Sequence, residues 1–247
     1  MIEKYAVTII TCVVAIFVGV LLGNSAVYIF NKIPGKWLVD YGKEPDEELL
    51  HPTRQRIRST PWKYCFSCLF VMAGIKLGLE DPVYAVIALI TCWLLLEMAI
   101  ADIKYMIVPD QFIILMMVAG IGFVPHHTNG PMEGIFGAII GFGVMLIIGL
   151  LGKIIYRTDG LGGGDIKLFA ALGLCVGKEG ILLVFVLSTF ITALHLGYLL
   201  ARKLIKPREK RPLVPYIAIA STIYMVILHE MSYNIWIDLE ERLLNDY

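Results

Sequence analysis

A chain of 247 residues that is 58% hydrophobic and only 17% charged is too apolar for a soluble domain, in which about a quarter of the residues carry charge. With a mean hydropathy of +0.75 and apolar runs along the whole length, it reads as a polytopic membrane protein. The net charge of zero says nothing about partners, the five cysteines give no disulfide framework, and no nucleic-acid partner is expected.

The first apolar run, from about Tyr5 to Phe30, lacks a basic lead-in and a small-residue cleavage site, so it reads as a retained first helix. Further apolar segments follow at 63–79, 83–101, 111–124, 134–155, 166–177, 179–200 and 213–229. The fold class expected is all-α, a single membrane-embedded domain over 1–247 with about eight transmembrane or re-entrant helices. The segment 166–177 is too short to cross alone and is expected to be tilted or partly re-entrant. With the N-terminus outside, the stretches 31–62, 102–110, 153–165 and 201–212 face the cytosol. Lys4, Lys76, Lys178 and Arg242 are then the only basic residues outside, which satisfies the positive-inside rule.

Between the first two helices, "GKWLVDYGKEPDEELLHPTRQRIRSTP" has an acidic half (Asp40, Glu44, Asp46, Glu47, Glu48) and a basic half (Arg54, Arg56, Arg58). It is too short for its own core. It reads first as a solvated connecting loop on the membrane surface, and alternatively as a loop that contacts substrate. In the fifth segment, Gly137 and Gly141 form a small-xxx-small pair, which predicts close packing against a neighbouring helix. The C-terminal tail, 230–247, is acidic and amphipathic. Trp236, Leu239, Leu243 and Leu244 fall on one helical face suited to the membrane interface.

Carboxylates in or beside a bilayer are costly, on the order of 2.5–3.5 kcal/mol at its centre, and so invite a functional reading. Glu97 lies inside the third segment, Asp102 at its end in "EMAIADIKYMIVPD", Asp110 after Pro109, and Asp165 behind Gly162, Gly163 and Gly164. Singly, each has a structural reading. Asp165 and Asp110 could be helix N-caps. Asp102 could reach water, and Glu97 could bond to another helix. Taken together, Asp102 and Asp165 fall on the same side of the membrane at similar depth. Two carboxyl groups in contact share one proton. The charged one can activate water, and the protonated one can donate to the carbonyl under attack. Glycines beside such a pair would let an extended peptide backbone approach.

The stretch "GGGDIKLFAALG" resembles the type IV prepilin peptidase family of G-x-G-D intramembrane aspartic proteases. "ADIKYMIVPD" is similar to that family's first aspartate motif, which maps the role onto Asp102 with Asp110 as its neighbour. "GNSAVYIFNKIP" is similar to the family's first-helix ending, with Gly23, Lys32 and Pro34 in matching places and Val27 where the family has asparagine. The resemblance implies an endopeptidase that removes the short basic leader from type IV prepilins and type II secretion pseudopilins. The cut would fall at the cytosolic face of the inner (plasma) membrane. It implies Asp102 and Asp165 as catalytic groups, with Gly162, Gly163, Gly164 and Lys167 against the substrate. The partners implied are leader peptides and the lipid bilayer. The acidic residues from Asp40 to Glu48 could attract a basic leader.

The cysteines depart from the family. Many members carry two CxxC pairs that bind zinc in the first cytosolic loop, and N-methylate the new terminus with S-adenosylmethionine. Here that loop has no cysteine, and the sole CxxC is Cys65-Phe66-Ser67-Cys68. A structural zinc needs four ligands. Neither zinc nor S-adenosylmethionine is expected, no cofactor is needed for proteolysis, and methyl transfer is in doubt. No histidine spacing suggests catalysis. The competing readings are a proton-coupled transporter relaying through Glu97, Asp102 and Asp165, a peptidase for another precursor such as preflagellin, and a structural subunit of a secretion machine.

Overall fold

The computed structural model describes residues 2–39, 42, 44, 45, 49, 55–156, 162–206 and 210–230. The described residues are helical and contain no strand. In chain order the helices are α1 (Ile2–Lys32), α2 (Trp62–Glu80), α3 (Pro82–Tyr105), α4 (Asp110–Gly122), α5 (Pro131–Tyr156), α6 (Gly163–Ala201) and α7 (Val214–Ile223). The last runs on through a π-helical turn, Tyr224–Leu228. Short 3-10 turns occupy Gly35–Leu38 and Val124–His126.

Local chemistry sets several of these boundaries. Asp81 caps α3: its Oδ1 accepts the N–H groups of Val83 at 2.8 Å and Tyr84 at 3.1 Å. Pro82 fills the first helical position, where its missing N–H costs nothing. α1 and α2 pack backbone to backbone, because a side chain on Gly19 or Gly23 would collide with the chain at Val71 or Ser67. α5 lies equally tight on α6. Gly137 faces the backbone of Gly173, and Gly141 faces the carbonyl of Phe169. The expected close packing of the Gly137/Gly141 pair is therefore found, and its neighbour is the helix that begins with Asp165.

The segments expected at 166–177 and 179–200 form one element, α6, that folds back on itself. Gly177 sits at φ 73° and ψ −179°, outside the helical region. Phe169 and Ile181 both face Gly141, and the rings of Phe169 and Phe185 lie 6.3 Å apart. A straight helix would separate Phe169 and Phe185 by about 24 Å. Gly177 therefore reverses the chain, and α6 is two arms. The first arm, from Gly163, is about 21 Å long, short of a hydrocarbon core of about 30 Å.

Among the described residues, five helices are long and apolar enough to cross a membrane: α1, α2, α3, α5 and α6. α4 and the Val214–Leu228 helix are apolar but shorter. The protein is thus an all-α polytopic membrane protein, but length and composition establish fewer crossings than the eight expected. α3 is the central helix, with 67% of its most apolar window buried, against 17–22% for the other four. The outer helices turn residues such as Phe17, Ile139 and Ile154 outward, as lipid-facing helices do. The tail beyond residue 230, the acidic positions 40 and 46–48, Arg54 and the stretch 157–161 lie outside the described residues.

Polar groups gather at the two ends of the bundle. Asp81, His126 and Glu133 mark one end. The C-terminus of α3 and the N-termini of α4, α6 and α7 meet at the other, and this second end carries Asp102, Asp110 and Asp165.

Candidate active site

Asp102 stands in the last turn of α3 and is 6% exposed. Its Oδ2 accepts the N–H of Val214 at 2.9 Å, and the Leu213 backbone also donates to it. The carboxylate is therefore seated on the N-terminus of α7, where unpaired amides and the helix dipole favour an anion. Just beyond it, the Met106 N–H bonds to the Asp102 carbonyl at 2.9 Å. Met106 adopts a left-handed conformation, φ 54°, which turns the chain out of α3. Pro109, in extended geometry, then opens α4.

Asp165 is the third residue of α6. The cap position itself is Gly162, so the expectation that Asp165 is the N-cap is corrected by three residues. The Asp165 N–H bonds the Gly162 carbonyl at 3.1 Å, and its carboxylate accepts the Gly162 N–H in return. An acid at the third helical position thus reaches back to the cap amide, which is half of a capping box, since glycine has no side chain to supply the other half. Asp110 is likewise the first residue of α4 rather than its cap, because Pro109 takes that place. Its carboxylate instead meets Lys167, whose Nζ lies 3.0 Å from both oxygens.

Asp102 and Asp165 line one cavity of about 580 Å³, and the charge of Asp102 acts on Asp165. Gly162, Gly163, Gly164 and Lys167 line it too. The three glycines differ in their surroundings. A side chain on Gly163 would meet nothing within 4 Å, so the wall is bare there. On Gly164 it would lie 2.9 Å from the Val108 Cβ, so this glycine lets α6 pack onto the linker between the two aspartates. On Gly162 it would lie 3.3 Å from an Asp165 carboxylate oxygen.

The 35–61 segment is more than a solvated connection. Lys36, Trp37, Val39, Glu44 and Pro45 line the same cavity, which sets part of that loop beside Asp102 and Asp165. Sequence reasoning missed Trp37. Its only signal was an aromatic residue shortly after the proline that ends α1. Glu97 does not line the cavity. It is fully buried in α3, and its two oxygens, like the Trp93 Nε1, make no hydrogen bond among the described residues.

Cys65 and Cys68 are free, exposed thiols on the first turns of α2. They supply two of the four ligands a tetrahedral zinc requires. Among the described residues, no three His, Cys, Asp or Glu side chains are grouped to hold a metal ion, so these residues do not fit the zinc site implied by the resemblance. His126, His127 and His229 cluster at the opposite end of the bundle. There, His126 lies 3.4 Å from Asp81, and the His229 ring stacks 4.3 Å from Tyr84. His195 bonds the Tyr216 hydroxyl at 2.7 Å.

The stretch that carries Asp102, Asp110 and Asp165, residues 89–197, matches a family profile. The match is to the type IV leader peptidase family. Among curated proteins, this chain is 29% identical over 159 residues to a protein of Bacillus subtilis, covering 63% of this chain and 60% of that one. It is 30% identical over 143 residues to a protein of Aeromonas salmonicida, covering 56% of this chain and 48% of that one. A Pseudomonas aeruginosa protein is 28% identical over 142 residues, with the same two coverages. Each of the three is named prepilin leader peptidase/N-methyltransferase. The chain thus spans about half to three fifths of the length of these leader peptidases. No solved structure matches. The matched stretch takes in both "GGGDIKLFAALG" and "ADIKYMIVPD", and with them Asp110 and Lys167.

Proposed function

We propose that this chain is an intramembrane aspartic endopeptidase that removes the short basic leader from type IV prepilins and pseudopilins at the cytosolic face of the inner membrane. The observation that carries this reading is the pair Asp102 and Asp165, brought by separate helices to one cavity whose wall is bare at Gly163. The leader peptidase match over 89–197 supports the substrate class.

The pair holds one proton between its two carboxyl groups. A substrate backbone lies extended along Gly163. The ionised carboxylate takes a proton from a water molecule, and the water oxygen attacks the scissile carbonyl carbon. The protonated carboxyl gives its proton to the carbonyl oxygen as the tetrahedral intermediate forms. The intermediate then collapses. The C–N bond breaks, the amine leaves with a proton taken from the carboxyl that accepted it from water, and one hydroxyl of the intermediate returns its proton to the other carboxylate as the product carboxyl group forms, so the pair again holds one proton. The chemistry runs on two carboxyl groups and water and draws on neither zinc nor S-adenosylmethionine. Glu44, on the cavity wall, adds negative charge that favours a basic leader.

The test is leader cleavage by the purified full chain in detergent, comparing wild type with Asp102→Asn and Asp165→Asn. Each substitution keeps an oxygen for the backbone donor its carboxylate now serves, so folding should persist. Cleavage is expected to fall by at least about a thousandfold, within the range for loss of general acid–base catalysis. Normal cleavage by either variant overturns the dyad. A wild type that leaves several prepilins intact moves the transporter reading ahead. The mass of the new N-terminus reads any methyl transfer separately.

A further inference from the structure

At its C-terminus α1 leaves carbonyl groups without helical partners. A residue far along the chain supplies donors for two of the carbonyls there. The Arg56 Nη1 donates to the carbonyls of Ile33 at 2.6 Å and Phe30 at 3.2 Å, and its Nη2 lies 3.5 Å from the Leu49 carbonyl. The backbone beside it is fixed as firmly. Asn31 Oδ1 accepts the N–H groups of Arg56 at 2.6 Å and Ile57 at 2.9 Å. Asn31 Nδ2 donates to the Ile57 carbonyl at 3.1 Å. Lys104, two residues past Asp102, donates through Nζ to the Arg56 carbonyl. The end of α1, the returning loop and the end of α3 are thus tied at one knot.

The chain between the tied points forms part of the cavity. The turn Gly35–Leu38 starts two residues after Ile33. Leu38 is 1% exposed and anchors the turn in the core. Gly35 packs so closely that a side chain there would lie 2.7 Å from the Leu49 carbonyl, the same carbonyl Arg56 reaches. Trp37 then points its indole at Phe112 of α4, with ring centres 6.3 Å apart and planes at 87°. Trp37 also lines the cavity that holds Asp102 and Asp165.

We infer that Arg56 is a positioning residue that holds Trp37 in the wall of the dyad cavity, where the indole contacts an apolar part of the substrate chain. This rests on the peptidase reading above. An aromatic wall beside two carboxyl groups gives an extended peptide an apolar surface to lie on, while the polar groups face its backbone. The planar guanidinium spans three carbonyls from two nitrogens held in a fixed fork, a geometry that the compact ammonium of a lysine does not reproduce, so charge alone does not fill this role.

The experiment uses the full chain in detergent, a prepilin substrate and steady-state kinetics, with hydrogen exchange at 35–39 as a second readout. Trp37→Ala is expected to raise KM about tenfold with kcat within about twofold, and Trp37→Phe to bring KM back within about threefold. Arg56→Lys is expected to raise KM in the same way and to speed exchange at 35–39 about tenfold. Where Arg56→Lys does not fold, Lys104→Met is read instead, with the same direction. A wild-type KM in Trp37→Ala overturns the substrate contact. Unchanged exchange in Arg56→Lys, or a fall in kcat with KM untouched, overturns the positioning role. A wild type that cuts no prepilin removes the peptidase reading and the substrate contact with it, while exchange still decides whether Arg56 holds the turn.

Discussion

Replacing Gly164 by alanine should damage the site through geometry alone. The new Cβ would lie 2.9 Å from the Val108 Cβ and 3.1 Å from its Cγ2, where ordinary contact begins at 3.4 Å. The start of α6 and the 106–109 linker must therefore part by roughly 0.5–1 Å, since a packed interior has no slack to absorb the overlap. That linker leads out of the helix bearing Asp102, and Gly164 is the residue before Asp165, so the separation passes into the space between the two carboxyl groups. A displacement near 1 Å in a catalytic constellation costs up to about 100-fold in rate, and overpacking costs about 1–3 kcal/mol of stability. Leader cleavage and the unfolding midpoint would be measured for Gly164→Ala, Gly163→Ala and the pair Gly164→Ala/Val108→Gly. The first should lose roughly 10- to 100-fold in kcat, and the pair should recover most of it. Gly163→Ala should leave stability unchanged, because its Cβ meets open space, and should raise KM where the substrate backbone runs past. Full activity in Gly164→Ala, or equal loss of stability from both single variants, would refute the assignment of these two neighbours to different tasks.

Other consequences can be measured directly. Gly177→Ala forces a side chain onto a φ of 73° and sets its Cβ 2.8 Å from a Glu133 carboxylate oxygen. The unfolding midpoint should drop by the equivalent of about 1–3 kcal/mol, and an unchanged midpoint would argue against the reversal at that residue. Lys167→Met should raise KM about three- to tenfold while altering stability by less than about 1 kcal/mol, as befits a half-exposed ion pair; an unaffected KM would confine Lys167 to its bond with Asp110. At the opposite end, burial lowers the His229 pKa to about 4, helped by His126 and His127 and opposed by Glu133 and Asp81. A histidine held neutral by the fold contributes stability above its ordinary pKa of about 6.5 and loses it as pH falls from there toward 4. Between pH 7 and pH 5, wild type should lose about 2 kcal/mol that His229→Gln does not lose, read from paired melting curves; identical acid sensitivity in both would remove that assignment.

The sequence showed some of this architecture because hydropathy is local and some of it not, because contacts are not. Six of the eight apolar segments fall within a helix, 111–124 and 213–229 overrun theirs at the ends, and the break between 177 and 179 falls at Lys178, next to the reversing glycine. That the chain doubles back there required Phe169 and Phe185 to be seen together. "GGGD" marked Asp165, but nothing local assigns Gly164 to packing and Gly163 to open space, since the difference lies in Val108, which is far along the chain but packed against Gly164. Asp110 resembled a cap because aspartate after proline often is one. Its bond to Lys167 joins residues 57 positions apart, beyond the reach of spacing rules. Trp37 and Arg56 were hidden for the same reason. One is an aromatic residue in a short loop and the other an arginine in a basic run, and only the carbonyls at the end of α1 give the arginine its task.

The glycine that reverses α6 also makes a lever. The arm from Gly177 to Asp165 is about 18 Å long by the helical rise, so one degree of swing at the glycine moves the carboxyl end by about 0.3 Å. Asp102 has no such freedom. Its helix is the most buried of the five long ones, and a second helix start grips its carboxylate. The two halves of the pair are thus mounted differently, one on a post and one on a hinged beam. The beam also lies backbone to backbone on α5 at Gly173 and Phe169, so the place of Asp165 is set by that seam as well as by the glycine behind it.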